Sequence, residues 1–149
     1  MKIQSVAVLG AGAVGSYVIW GLSHKKDIRL GVIAEGERAD RLKKGGCQIN
    51  DEVYRPEVWS PQEAEDVDLL IVSLKYGSLP EALESIKTIV GEHTTVMSLM
   101  NGVDSEELIA EQVGDDRVLR SLIKVASHKE ENDGLFDYQG ERDKTTWAK

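Results

Sequence analysis

Residues 3–22 read IQSVAVLGAGAVGSYVIWGL, and the fold turns on how this stretch is divided. Ile3 to Leu9 is apolar and β-branched and stops abruptly at Gly10, as a buried strand would. From Val14 onward, apolar residues at 14, 18, 19 and 22 recur at helical spacing, so a helix starts inside the glycine run. Between the two lies Gly10-Ala11-Gly12-Ala13-Val14-Gly15, a G-x-G-x-x-G pattern set between a strand and a helix. Gly10 permits the tight turn. Gly12, without a side chain, lets the backbone approach a pyrophosphate lying over the free N–H groups of the helix start. Gly15 lets the helix pack close to the strand. A glycine-rich turn that binds nothing is the alternative, and the strand-loop-helix setting favours the dinucleotide site. A P-loop is excluded because no G-K-[ST] follows.

Working outward, the same alternation continues. Ile28 to Ala34 reads as a second strand, and Arg38 to Lys44 as a short helix stopped by Gly45-Gly46. Cys47 to Val58 alternates loosely around Asn50-Asp51, which suggests a hairpin, and Pro56 keeps part of that segment at a sheet edge. Asp68 to Ser73 (DLLIVS) is a continuous apolar run, the mark of a parallel strand covered on both faces. Leu79 to Val90 is amphipathic, with Pro80 in its first turn. Thr94 to Leu99 reads as a strand, Ser105 to Val113 as a helix with Ser105 as its N-cap, and Val118 to Val125 as one more strand. The tail after Asp137 is polar and patternless. This order predicts an α/β fold: a doubly wound, mostly parallel sheet of the Rossmann type, spanning residues 1–140. Residues 141–149 are expected to be a polar tail or the start of a further domain.

Composition narrows the partners. The chain has 149 residues, 41% of them hydrophobic, enough for one ordinary globular domain with its own core. Its formal net charge of -8 disfavours nucleic acid and anionic membrane, both of which need a cationic face. The single cysteine, Cys47, has no internal disulfide partner, which suits a reducing cytoplasm. Glycines at 10, 12 and 15 break the N-terminal apolar run, so it does not read as a signal peptide, and no stretch approaches membrane-spanning length.

Four more residues are candidates by position. Glu35 lies twenty positions after Gly15, directly after the second strand, where this fold places the acid that hydrogen-bonds an adenosine ribose. Arg38 follows three positions on and could instead meet a 2′-phosphate. Lys75 and Asn101 stand at the ends of the strands that finish LLIVSLK and TTVMSLM. Ligands of doubly wound sheets bind across those ends. A lysine can donate to a carbonyl or carboxylate there, and an asparagine can both donate and accept. From position alone the plainer reading prevails for each: Lys75 as a solvated strand end, Asn101-Gly102 as a plain turn. No metal site is expected.

The motifs G-A-G-A-V-G, A-E-G-E-R-A-x-x-L-K-K-G-G, V-S-L-K-Y and M-N-G-V-D-S-E-E-L together resemble the ketopantoate reductase (2-dehydropantoate 2-reductase) family over residues 1 to about 140. The glycine loop is shared with many dehydrogenases, whereas V-x-L-K followed by N-G-[LV]-x-x-E-E is fairly distinctive. The resemblance implies that Lys75 lies near cofactor and substrate, and that Asn101 contacts the nicotinamide ribose and the substrate. It implies hydride transfer from NAD(P)H to the ketone of ketopantoate or a related 2-oxo acid. Family members commonly carry an arginine where Glu35 stands, so this chain is expected to favour NADH over NADPH. The family's general-acid lysine, and the serine and glutamate that bind pantoate, belong to a helical second domain. No motif here matches them, so the chain alone is expected to bind cofactor without turnover. A homodimer is compatible with these expectations, and a stand-alone module that senses redox state or serves a separate partner is the rival reading.

Overall fold

The computed structural model describes residues 2–100, 104–124, 128–129, 135–137 and 146–147. Strand β1 (Ser5–Leu9) leads through the glycine loop into helix α1 (Ala13–Ser23), then β2 (Arg29–Ile33) and α2 (Gly36–Gly45). A hairpin of β3 (Cys47–Ile49) and β4 (Glu52–Tyr54) precedes β5 (Glu57–Trp59). The alternation resumes with β6 (Leu69–Val72), α3 (Leu79–Ile89), β7 (Thr95–Ser98), α4 (Asp104–Val113) and the short β8 (Val118–Leu119).

The main sheet has six strands in the order β5-β2-β1-β6-β7-β8, all parallel. From β1 the chain winds outward to β2 and β5, then returns across β1 to build β6, β7 and β8 on the other side. The winding direction therefore reverses between β1 and β6, the place where doubly wound sheets open a crevice at their carboxyl ends.

Strand residues alternate between two cores, as a two-residue period requires. Ala7, Leu9, Ile33, Leu70, Val72 and Val96 join Leu79, Ile86, Ile89 and Ile109 of α3 and α4 on one face. Val6, Val8, Leu30, Val32 and Ile71 join Val18 and Ile19 of α1, with Cys47 and Ile49 of β3, on the other. Burial on both faces accounts for runs such as Leu69–Val72, in which every residue is apolar.

The hairpin forms around Asn50-Asp51 as the sequence predicts: both residues have positive φ, 49° and 66°, as a two-residue type I′ turn demands. It extends into a second sheet, β10-β11-β3-β4, through β10 (His128–Lys129) and β11 (Leu135–Asp137). Pro56 lies just before β5, the edge strand of the main sheet.

Two expectations are corrected. Ser105 is not the N-cap of α4. Asp104 already opens the helix, and the Ser105 hydroxyl is fully buried 3.0 Å from Ser98 Oγ, committed to β7 instead of the helix start. Nor is Val118 to Val125 one strand. Ser121 Oγ donates to the Ser98 carbonyl at 2.6 Å and its N–H to Glu106 Oε1 at 2.9 Å, which draws the chain out of the sheet after Leu119. Ile123–Lys124 (β9) then pairs antiparallel with Thr146–Trp147 (β12), inside the tail that carries no sequence pattern. Val125 lies outside the described residues.

Candidate functional site

The glycine loop leaves β1 at the switch point, and its three glycines have three different surroundings. Gly10 has φ +99°, a conformation that favours glycine, and a Cβ there would stand 2.7 Å from the Ser73 carbonyl oxygen. A Cβ on Gly15 would collide with the Gly10 carbonyl and stand 2.7 Å from Ser73 Oγ. Among the described residues, a Cβ on Gly12 would meet nothing within 4 Å beyond its own chain neighbours, and the backbone there (φ -82°, ψ -157°) suits any L-residue. Gly10 and Gly15 are thus glycines for the protein's own packing, and Gly12 is not.

Helix α1 begins immediately after. Its hydrogen-bond ladder opens with Ser16 N–H donating to the Gly12 carbonyl at 2.9 Å. The N–H groups of Ala13, Val14 and Gly15 precede that rung and so lack intrahelical acceptors, and among the described residues no side chain caps them. They form an anion-accepting helix end of the kind that holds phosphates. Ala11 is buried in the core on the α1 face and Val14 packs against it, so these two residues contribute backbone to the loop while their side chains anchor it.

Glu35 sits at the carboxyl end of β2, beside β1, with extended backbone (φ -134°, ψ 161°) as the N-cap residue of α2. Its side chain is exposed and makes no hydrogen bond or ion pair among the described residues. Arg38 is exposed in the first turn of α2, beyond the Gly36 turn at φ +59°. It stands near enough to Cys47 for its charge to oppose the burial that pushes the thiol's pKa up. Lys75 follows β6 across the switch point, exposed, just ahead of the 3-10 turn Tyr76–Ser78. Its ammonium also makes no bond among the described residues. The structure therefore brings Gly10–Gly15, Glu35 and Lys75 to one edge of the sheet, with Arg38 on the helix that rises from it. Asn101 lies outside the described residues.

The sequence reading missed two features. Ser73 Oγ donates to the Gly10 carbonyl at 2.6 Å, and Ser73 N–H donates to the Leu9 carbonyl at 2.9 Å, joining the end of β6 to the start of the loop. At the end of β7, the buried Ser98, Ser105 and Glu106 form a polar junction with Ser121, and Arg120 approaches Glu106 Oε2 at 3.6 Å. The clue to both was a polar residue closing or following a strongly apolar run, a pattern that solvated strand ends share.

A parallel sheet wound in this order, with a glycine loop and an uncapped helix start at its switch point, defines a Rossmann-like NAD(P)-binding domain. The chain belongs to the ketopantoate reductase PanE/ApbA family, whose profile matches residues 6–149 and so runs past Gly140 to the last residue. It is similar to the uncharacterized oxidoreductase YkpB of Bacillus subtilis, 30% identical over 125 residues that cover 80% of this chain and 41% of that protein. It is also similar to a 2-dehydropantoate 2-reductase of Mesorhizobium japonicum, 29% identical over 67% of this chain and 32% of that protein. Among solved structures, 2-dehydropantoate 2-reductase from Porphyromonas gingivalis W83 superposes with a TM-score of 0.80 at 23% identity, covering 95% of this chain and 53% of that one. A D-mandelate dehydrogenase with NADH and anilino(oxo)acetate gives 0.77 at 24%, covering 92% of this chain and 46% of that one. These two likenesses are of fold. The chain spans half or less of the length of most of these proteins. Among the described residues no helix is long and apolar enough to cross a membrane.

Proposed function

We propose that this chain holds the cofactor of an NAD(P)H-dependent oxidoreductase that reduces the ketone of ketopantoate or a related 2-oxo acid. The observation that carries the reading is the contrast within the glycine loop. Two glycines are closely packed, while the third, among the described residues, faces open space beside a helix start whose amides are uncapped. In this reading the amides of Ala13, Val14 and Gly15 hold the diphosphate, and Glu35 accepts hydrogen bonds from the adenosine ribose. Lys75 and Asn101 serve the reacting end, where Lys75 can donate to a carboxylate or carbonyl oxygen. The dinucleotide, when bound, supplies the hydride. No residue of this chain matches the family's general acid, so the chain alone binds cofactor and does not turn over. Its unpaired Cys47 suits work in the cytoplasm.

Glu35 sets the choice of cofactor in this reading. A carboxylate beside the ribose accepts from the 2′- and 3′-hydroxyls of NADH and repels the 2′-phosphate of NADPH. Unit charges about 4 Å apart interact by about 1 kcal/mol in water and by about 4 kcal/mol at an effective dielectric near 20. Glu35 is exposed, so the lower part of that range applies. With the ribose hydrogen bond also lost, NADH is favoured by about tenfold, at about 1.4 kcal/mol per decade. Calorimetric titration of the chain with NADH and NADPH at one fixed ionic strength tests both claims. Absence of NADH binding would refute the function, and equal or tighter NADPH binding would refute the role of Glu35. In the latter case Arg38→Ala would show whether the arginine receives the phosphate.

A further inference from the structure

Ser73 occupies a place that neither composition nor motif assigns to it. Its N–H donates to the Leu9 carbonyl, adding one backbone rung between β1 and β6 beyond their last paired residues. Its hydroxyl then turns to the loop and donates to the Gly10 carbonyl at 2.6 Å. The two glycines of the loop that tolerate no side chain are the two that close on this residue: Gly10 on its carbonyl oxygen, Gly15 on its hydroxyl and on the Gly10 carbonyl. One serine hydroxyl thus sits at the junction of the strand end, the first glycine and the first turn of α1.

We propose that Ser73 is a positioning residue for dinucleotide binding: it pins the Gly10 peptide so that the first-turn amides of α1 stay aimed at a diphosphate. The inference rests on the proposed function and adds to it a residue that does not touch the ligand. The physical reason is the freedom of the segment it restrains. Gly10 and Gly12 lack side chains, and Ala11 anchors the segment between Leu9 and Ala13 by one buried methyl, so a hydrogen bond at the Gly10 carbonyl restrains backbone freedom that the two glycines leave. A loop that wanders must be ordered again each time a ligand binds, which weakens affinity without removing any ligand contact. Ser73 is only partly buried, so loss of its hydroxyl leaves the core as it is.

The test is calorimetric titration of the 149-residue chain with NADH and with ADP-ribose, for wild type, Ser73→Ala and Ser73→Thr. Amide NMR shifts of Gly12 to Gly15 and a melting curve accompany each titration. Ser73→Ala is expected to bind both ligands about five- to tenfold more weakly, the effect of one net hydrogen bond. The loop amide shifts move before any ligand is added, and the melting temperature stays close to that of wild type. Ser73→Thr, which keeps the hydroxyl, restores affinity and shifts. Wild-type affinity in Ser73→Ala would overturn the assignment while leaving the function standing. A Ser73→Thr variant that folds, yet binds as weakly as Ser73→Ala, would also overturn it. Failure of the wild-type chain to bind either ligand would overturn the functional reading itself, and the assignment with it.

Discussion

At the amino ends of the parallel strands, Asp68 accepts hydrogen bonds from Gln4 N–H, Ser5 N–H and Ser5 Oγ, and its own N–H donates to that same hydroxyl. Asp66 holds His93 by backbone and ring, and the Arg117 guanidinium donates to the Gly91 and Glu92 carbonyls at 2.7 Å each. At the carboxyl ends, the side chains of Glu35 and Lys75 and the first-turn amides of α1 find no protein partner among the described residues. The two edges belong to the same parallel strands. The amino edge spends these groups on the fold; the carboxyl edge spends Ser73, Ser98 and Ser121 likewise but leaves Glu35, Lys75 and the first-turn amides of α1 without a protein partner among the described residues. Of these, the first-turn amides of α1 are backbone donors that a helix start leaves without acceptors, and such an end can take an anion.

The strongest way to break this comparison is Gly12→Val. Among the described residues nothing lies within 4 Å of the added Cβ, so the melting temperature should stay within a few degrees of wild type. NADH affinity should fall by at least about a hundredfold, because the added β-branched group stands where the diphosphate must approach. A folded Gly12→Val variant that binds as wild type would remove the carboxyl edge's special status. Asp68→Ala, at the opposite edge, should do the reverse. It deletes an acceptor of three hydrogen bonds in a partly buried setting and should lower stability by about 1–2 kcal/mol in denaturant titration. NADH affinity should not change.

The smallest effect is one of pH. Hydrogen bonds from the His93 backbone and ring hold the Asp66 carboxyl below its usual range, and Asp66 in turn holds the His93 imidazole above its own. The Asp66 contribution is complete above about pH 4 and is lost as pH falls below that. The His93 contribution is complete below about pH 6.5 and is lost as pH rises through the raised value. Both groups are exposed, so the changes are slight. Melting curves between pH 5 and 9 should show a shallow alkaline decline in wild type that His93→Gln abolishes, with NADH affinity unaffected.

Periodicity made most of the fold legible, because burial on one face or two leaves a repeating trace in a strand or helix. Leu69–Val72 and the apolar positions of α3 could be assigned from spacing alone, and the Asn50-Asp51 turn from its residue types. The glycine loop was legible for a related reason: only glycine satisfies the φ of Gly10 and the crowding at Gly15. Ser73 left no such trace. Its partner lies sixty-three positions away, and a serine ending an apolar run looks the same whether it faces water or a carbonyl. The break after β8 was hidden likewise, since Ser121 leaves the sheet for Ser98 and Glu106 by contacts remote in sequence. Glu35 and Lys75 were located by the rule that strand ends carry ligands. The folded chain adds that both side chains lie exposed at the carboxyl ends of β2 and β6.

The central place of β1, between β2 and β6, also governs how the molecule can be assembled. During synthesis β1 and β2 emerge early and can pair across one helix. The other side of β1 stays an open edge of unpaired backbone groups until Leu69–Val72 has left the ribosome. Pairings this distant in sequence are slow to form and expose aggregation-prone surface while they wait. Asp68, immediately ahead of β6, latches onto Gln4 and Ser5 at the start of β1 and aligns the late strand with the early one. The nascent chain is most vulnerable in the interval before that latch closes.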